Sequence, residues 1–403
     1  MLKGNTYNRM TFSVLKDKRK LLPILWFLLP VVAGFMKWRL HSINNYNIFK
    51  GVFTHLIHSY NLYELYPQEY FDSNHYGPLF SLIIMPFTFI PDVIGIPLWV
   101  AFHAFVLYKA FALLPIKPAY QWILLAICIV DLNTSSHNLQ VNPSVVALII
   151  LSWYYVKKDQ VIWATLFVMI GVFVKLYGIV GLAFWVFSDS KLKYIGYAIM
   201  WAIILFVLPM AISSPEFVVQ SYYDWFNSLV HKNIENQGVA NGVGTSIQDV
   251  SLMGLVRRVG GFPDLSNLFF LIPGFILQVL PLLRFKQYKN LLFQLRYLAS
   301  LSIFVVIFSS SSESPTFIIA VAGVAIWFIT QANPVERWVW ILLFTVVAFT
   351  SLSATDILPA WLRMKFIVYS IKAFPCCLVW FACIYQLLLS ETSEIKSLWI
   401  SQE

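Results

Sequence analysis

QVIWATLFVMIGVFVKLYGIVGLAFWVF, residues 160–187, carries a single charge, Lys175, near its midpoint. Two membrane passes sharing so short a stretch must be half-length helices that meet near Lys175. Such a break at membrane depth is tolerated where the turn lines a polar cavity. The lysine itself costs about 3 kcal/mol on insertion scales, so it needs an anion or a route to water.

Similar apolar segments recur on both sides. Of the 403 residues, 59% are hydrophobic, 17% aromatic and only 12% charged, a composition that excludes an ordinary soluble domain. Candidate spans fall at about 21–37, 96–114, 119–133, 142–156, 160–174, 175–187, 192–212, 266–284, 292–309, 315–331, 335–352 and 364–389. LFSLIIMPFTFI (79–90) lies between Pro78 and Pro91. At roughly 18 Å as a helix it is short for a crossing, so it is re-entrant or a short tilted span. The expected fold is an all-α polytopic membrane bundle of about 11–13 transmembrane helices with extracytoplasmic loops.

The net charge of +9 is distributed as topology, not as a nucleic-acid patch. Lys3, Arg9, Lys16, Lys18, Arg19 and Lys20 precede the first run, LLPILWFLLPVVAGFM, which lacks a cleavage site and reads as a retained span. The basic connectors KKDQ, SDSKLK and RFKQYKN place both chain ends in the cytoplasm. Three regions follow: a basic N-terminus (1–20), a membrane module (21–331) with outer segments 38–77 and 213–265, and C-terminal spans with a short tail (332–403). Cys128, Cys376, Cys377 and Cys383 all fall within apolar stretches, without metal or disulfide spacing. In the second outer segment NQGVANGVGTS (236–246) suggests a flexible loop.

Several stretches, in order, carry a family likeness: NNYNIFKGVFTHLIHSYNLYELY (44–66), HYGPLFSLIIMPFTFIP (75–91), IPLWVAFHAFVL (96–107), LQVNPS (139–144), GVFVKLYGIV (171–180) and SLMGLVRRV (251–259). Over about residues 21–330 the chain resembles glycosyltransferase family 87, polyprenol-phosphate-dependent membrane glycosyltransferases of the GT-C fold, formerly a domain of unknown function. The resemblance implies a hexosyltransferase, of which a mannosyltransferase is one form. It would move sugar from a polyprenyl-phosphate donor to a lipid or glycan acceptor on the extracytoplasmic side. Its setting would be a bacterial inner membrane and its partners membrane lipids, with no nucleic acid. No cofactor is certain, and room is left for a divalent metal. Two positions depart from the family pattern. Asn45 stands where an acidic base is expected, and an amide cannot take a proton from a hydroxyl. SSSSESPTFIIA (309–320) lacks the family's histidine.

Sugar transfer from a lipid phosphate needs a base, aromatic planes for sugar faces and cations for the departing phosphate. Segment 38–77 offers Glu64, Glu69 and Asp72 as bases, with His75 and Tyr76 at the membrane entrance; the other reading is an interfacial belt. Glu313 is the rival base, at an outer mouth between apolar spans. Lys175 is the first choice for phosphate, against snorkelling. Arg257 and Arg258 match the family's arginine-bearing stretch and offer a second phosphate clamp, against juxtamembrane anchoring. Gln140 and Asn142, and more weakly His137 and Asn138, could bind sugar hydroxyls, against helix capping. Nucleotide-binding loops, HExxH and nucleophile elbows are missing from the sequence. A lipid-linked sugar transporter built on broken helices and an inactive lipid-binding member remain the competing classes.

Overall fold

A computed structural model of the protein describes residues 5–238, 248–390 and 399–400. Most of the Asn/Gly-rich stretch expected to form a flexible loop therefore lies outside the described residues. The chain runs through α1 (Asn5–Arg39), α2 (Asn44–His58), α3 (Phe80–Thr88), α4 (Asp92–Ala112), α5 (Trp122–His137), α6 (Asn142–Lys157) and α7 (Val161–Lys175). A 3-10 segment (Leu176–Phe187) leads to α8 (Lys191–Val207), α9 (Pro215–Gly238), α10 (Leu252–Val259), α11 (Asn267–Val279) and α12 (Leu291–Ile307). α13 (Phe317–Ile329), α14 (Arg337–Thr345), α15 (Ala360–Val368) and α16 (Ala373–Leu389) complete it.

No strand occurs among the described residues, and the protein is an all-α polytopic membrane protein. Five segments are long and apolar enough to cross a membrane on their own; α15 and α16, bent by 50°, could form a sixth. Other apolar helices, α11 to α13 among them, are shorter. α13, every residue of which is buried, packs on α12, α5 and α16 at the centre.

By length the segment Val161–Phe187 could be one span, but it folds back on itself. A Cβ added to Gly178 would lie 2.5 Å from the Cα of Gly171, and one added to Gly181 would lie 2.8 Å from the Val168 side chain. In a continuous helix residues 171 and 178 would be about 10 Å apart. The chain thus reverses at Lys175, whose φ of −156° and ψ of 87° leave the helical region. Two glycines let the arms touch, and the lysine stands at the tip of a hairpin of two short helical arms.

The two segments expected outside the spans hold helices of their own. α2 buries Tyr46, Phe49, Val52, Phe53 and Leu56, with α3 packed along it. α3 is a nine-residue helix, too short to cross a hydrocarbon layer about 30 Å thick. Residues 213–265 contribute α9 and α10. All four cysteines are buried and free.

Candidate functional site

The stretch NHYG (74–77) is fixed from three directions. Asn74, 1% exposed, donates to the Tyr76 carbonyl at 3.0 Å, and the Tyr63 hydroxyl donates to the same oxygen at 3.0 Å. Trp225 of α9 donates its indole N–H to the His75 carbonyl at 2.9 Å. Gly77 donates its backbone N–H to the Val174 carbonyl at 3.3 Å, and a Cβ there would lie 2.1 Å from the Phe173 carbonyl oxygen. Only glycine permits that approach, which seats the stretch on the tip of the Lys175 hairpin.

Behind it lies a cavity of about 260 Å³ lined by His75, Tyr76, Gln140, Lys175, Tyr177 and Glu313, with Trp225 and Lys232 on the α9 side. The Lys175 ammonium donates to Asn142 Oδ1 at 2.9 Å and lies 5.4 Å from the ring centroids of both Tyr76 and Tyr177. An amide and two ring faces stabilise a cation without neutralising it. Among the described residues no carboxylate pairs with Lys175 within 4 Å. Glu313 nevertheless lines the same cavity; burial raises its pKa above the usual carboxylate value, opposed by the nearby Lys175 charge. The Tyr76 hydroxyl donates to Gln140 Oε1 at 2.6 Å, and its ring stacks on Phe80 at 4.7 Å.

The loop that carries Glu313 is held from below. Asn142, fully buried, donates to the Pro315 carbonyl at 3.0 Å, so one amide orients both Lys175 and this loop. That interaction, not helix capping, occupies its side chain. Lys372 donates to the Ser314 carbonyl at 3.3 Å and lies 3.7 Å from the fully buried Asp131 carboxylate.

A second, more open cavity of about 490 Å³ adjoins the first. Glu64 and Asp72 line it, and His75 and Lys232 border both cavities. Lys232 is 3.8 Å from Asp72 and 3.6 Å from Glu235. The His75 ring meets Ser228 Oγ at 3.2 Å through Nδ1, while its buried Nε2 has no partner. Burial and then the Lys232 charge lower the His75 pKa to about 4, so the ring is neutral near pH 7.

Of the residues singled out from sequence, Lys175, Glu313, Tyr76, Gln140 and His75 thus share one chamber, with Glu64 and Asp72 in its vestibule. Others lie apart. Arg257, 2% exposed, pairs with Asp249 at 3.0 Å and also bonds the Leu265 carbonyl and Asn267. Arg258 donates to the Asp249 carbonyl at 3.0 Å and to Ser370 Oγ at 2.6 Å. Neither lines the Lys175 chamber, so the paired phosphate clamp is not assembled; internal partners engage both guanidinium groups. Asn45 donates to the Asn138 carbonyl at 2.9 Å and faces neither cavity, nor does His137, the last residue of α5. Glu69 pairs with His55 at 3.0 Å within the segment itself. Among the described residues no group of three or more His, Cys, Asp or Glu side chains could hold a metal ion.

Sequence reasoning missed Lys232, Trp225 and Tyr177. The signal for Lys232 lay in residues 224–235, where polar residues recur at a helical spacing that shows only once a helix is assumed.

No curated protein matches the chain. The sequence profile of glycosyltransferase family 87 matches residues 74–310, which is more than half of the chain; the match takes in the NHYG stretch, the hairpin and the α9 side of the chamber, and ends before Glu313. The chain belongs to glycosyltransferase family 87 and is a membrane glycosyltransferase.

Proposed function

We propose that the protein is a GT-C-type hexosyltransferase of a bacterial inner membrane, taking sugar from a polyprenyl-phosphate donor to an acceptor on the extracytoplasmic side. The observation that carries this reading is Lys175, an unneutralised cation facing a chamber that also holds Glu313. The donor phosphate supplies the anion that the lysine lacks. The acceptor hydroxyl oxygen attacks the anomeric carbon, its proton passes to Glu313, and the bond from that carbon to the phosphate oxygen breaks. Polyprenyl phosphate leaves against Lys175, and the anomeric configuration inverts. Glu313 suits the base because a carboxyl whose pKa is raised by burial is a stronger proton acceptor once ionised. Asp72 is less suited, since Lys232 lies beside it in the open vestibule.

Purified protein given labelled polyprenyl-phosphate mannose or glucose tests the reading. Transfer with release of polyprenyl phosphate is the expected result. Donor that binds and is never consumed, whichever acceptor is offered, would instead identify a non-catalytic lipid-binding protein. Movement of intact donor across a vesicle bilayer would identify a transporter.

A further inference from the structure

α9 presents three faces with three different surroundings. Asp224, Asn227, Ser228, His231, Lys232 and Glu235 follow helical spacing and line the vestibule. Trp225 and Leu229, together with Lys232, face the inner chamber. Roughly opposite the polar stripe, Val219, Tyr223, Phe226, Val230 and Ile234 are 43 to 65% exposed. Such an exposed apolar stripe beside a polar one suits a helix lying in the membrane interface with its apolar side in lipid, which would set the vestibule near headgroup height.

The vestibule's chemistry selects what enters. It carries four carboxylates, Glu64, Asp72, Asp224 and Glu235, against Lys232 and two imidazoles, His75, which is neutral, and His231, 3.4 Å from Glu235. A bowl of this sign repels anions. Its amides, hydroxyls and carboxylates suit a ligand rich in hydroxyl donors. The His75 Nε2 atom, buried without a partner on the wall shared with the Lys175 chamber, awaits a hydrogen bond.

From these features we infer that the vestibule is the acceptor subsite, and that it takes an uncharged, polyhydroxylated glycan end, either free or carried on a lipid headgroup. The inference rests on the hexosyltransferase reading for its purpose, but binding can be measured without turnover. The native cysteines are buried, so Asn227→Cys in the full chain, reconstituted in nanodiscs, offers one accessible thiol for maleimide. Neutral hexose and N-acetylhexosamine trisaccharides are offered free in one arm and on a lipid in another, with a uronic-acid trisaccharide as the anionic probe. A neutral glycan at about ten times its Kd should slow labelling roughly tenfold by mass action; the anionic one should not, and the responding arm identifies the source. Ser73→Cys, on the facing wall, repeats the measurement should the first variant misfold. Equal protection by the anionic probe, or protection by no glycan in either arm, overturns the inference. Lys175→Gln separates the two readings: it should weaken donor binding and leave glycan protection in place. Protection without transfer in the wild type would sink the enzyme and spare the subsite.

Discussion

Lys175, half-buried, and Arg257, fully buried, are both cations in stretches that resemble family motifs, yet their surroundings differ in one decisive respect. Arg257 is saturated by a carboxylate, an amide and a carbonyl, and its ion pair is 1% exposed on each side. Lys175 has one amide, two ring faces and a cavity. A cation bonded through each of its nitrogens holds the fold, whereas one with donors to spare is open to a ligand, the role proposed for Lys175. Lys372 belongs with Arg257, since Asp131 and the Ser314 carbonyl take up its charge.

The largest expected effect therefore falls on stability and on the arginine. Arg257→Met removes the ion-pair partner of the buried Asp249 carboxylate, whose pKa burial already raises, and leaves it Ser251 and the neighbouring Arg258 charge; breaking a buried pair costs up to about 3–5 kcal/mol. Thermal melts in detergent should show a large drop for this variant and almost none for Lys175→Gln. Equal drops would erase the distinction between the two cations.

On activity the ranking reverses. Lys175→Gln should lower transfer by about 10²–10³, the usual loss when one charge-stabilising donor is removed, with weakened donor binding and an unchanged melt. Retained transfer would mean that the phosphate is held elsewhere.

Acidity sharpens the same contrast. The Glu313 pKa is raised from its ordinary value of 4.5, and a base works only when ionised. Transfer should be complete above that raised value and fall about tenfold per pH unit below it. His75, already neutral above about pH 4, adds no limb in this range. Glu313→Gln should remove the dependence along with most of the rate. A profile that stays flat down to pH 4.5 would reassign the base.

A smaller effect is expected from Gly77→Ala. The added methyl group meets the Phe173 carbonyl oxygen at 2.1 Å and the Trp225 ring at 2.9 Å, so the hairpin tip must shift, at about 1–3 kcal/mol. The rate of transfer should fall more than the melting temperature, because the displaced tip carries Lys175.

The break at Lys175 was legible in the sequence because one charge in an apolar stretch has few tolerable positions; the glycines that let the arms touch show their part only in the fold. The fate of the arginines was not legible. Their partners range from Asp249, eight or nine residues away, to Ser370, more than a hundred residues away, and saturation is a property of the assembled fold. The α9 stripe was hidden for another reason. Residues 213–265 read as a loop segment, and helical spacing has no meaning until a helix is assumed. Asn142 resisted for a third reason: its neighbour Pro143 suggested a cap, while the groups it binds lie 33 and 173 residues away.

The smallest effect tests the departure at Asn45. Were the family's acidic position the seat of the base here, Asn45→Asp would restore or raise transfer. The side chain instead spans from the first turn of α2 to the end of α5, donating to the Asn138 carbonyl. A carboxylate there has no hydrogen to donate and turns an acceptor toward an acceptor. The substitution should cost about 1 kcal/mol, the net worth of one hydrogen bond, with transfer unchanged. A gain in transfer would move the base from the Glu313 loop to α2, and with it the comparison between cations that hold the fold and cations that hold the substrate.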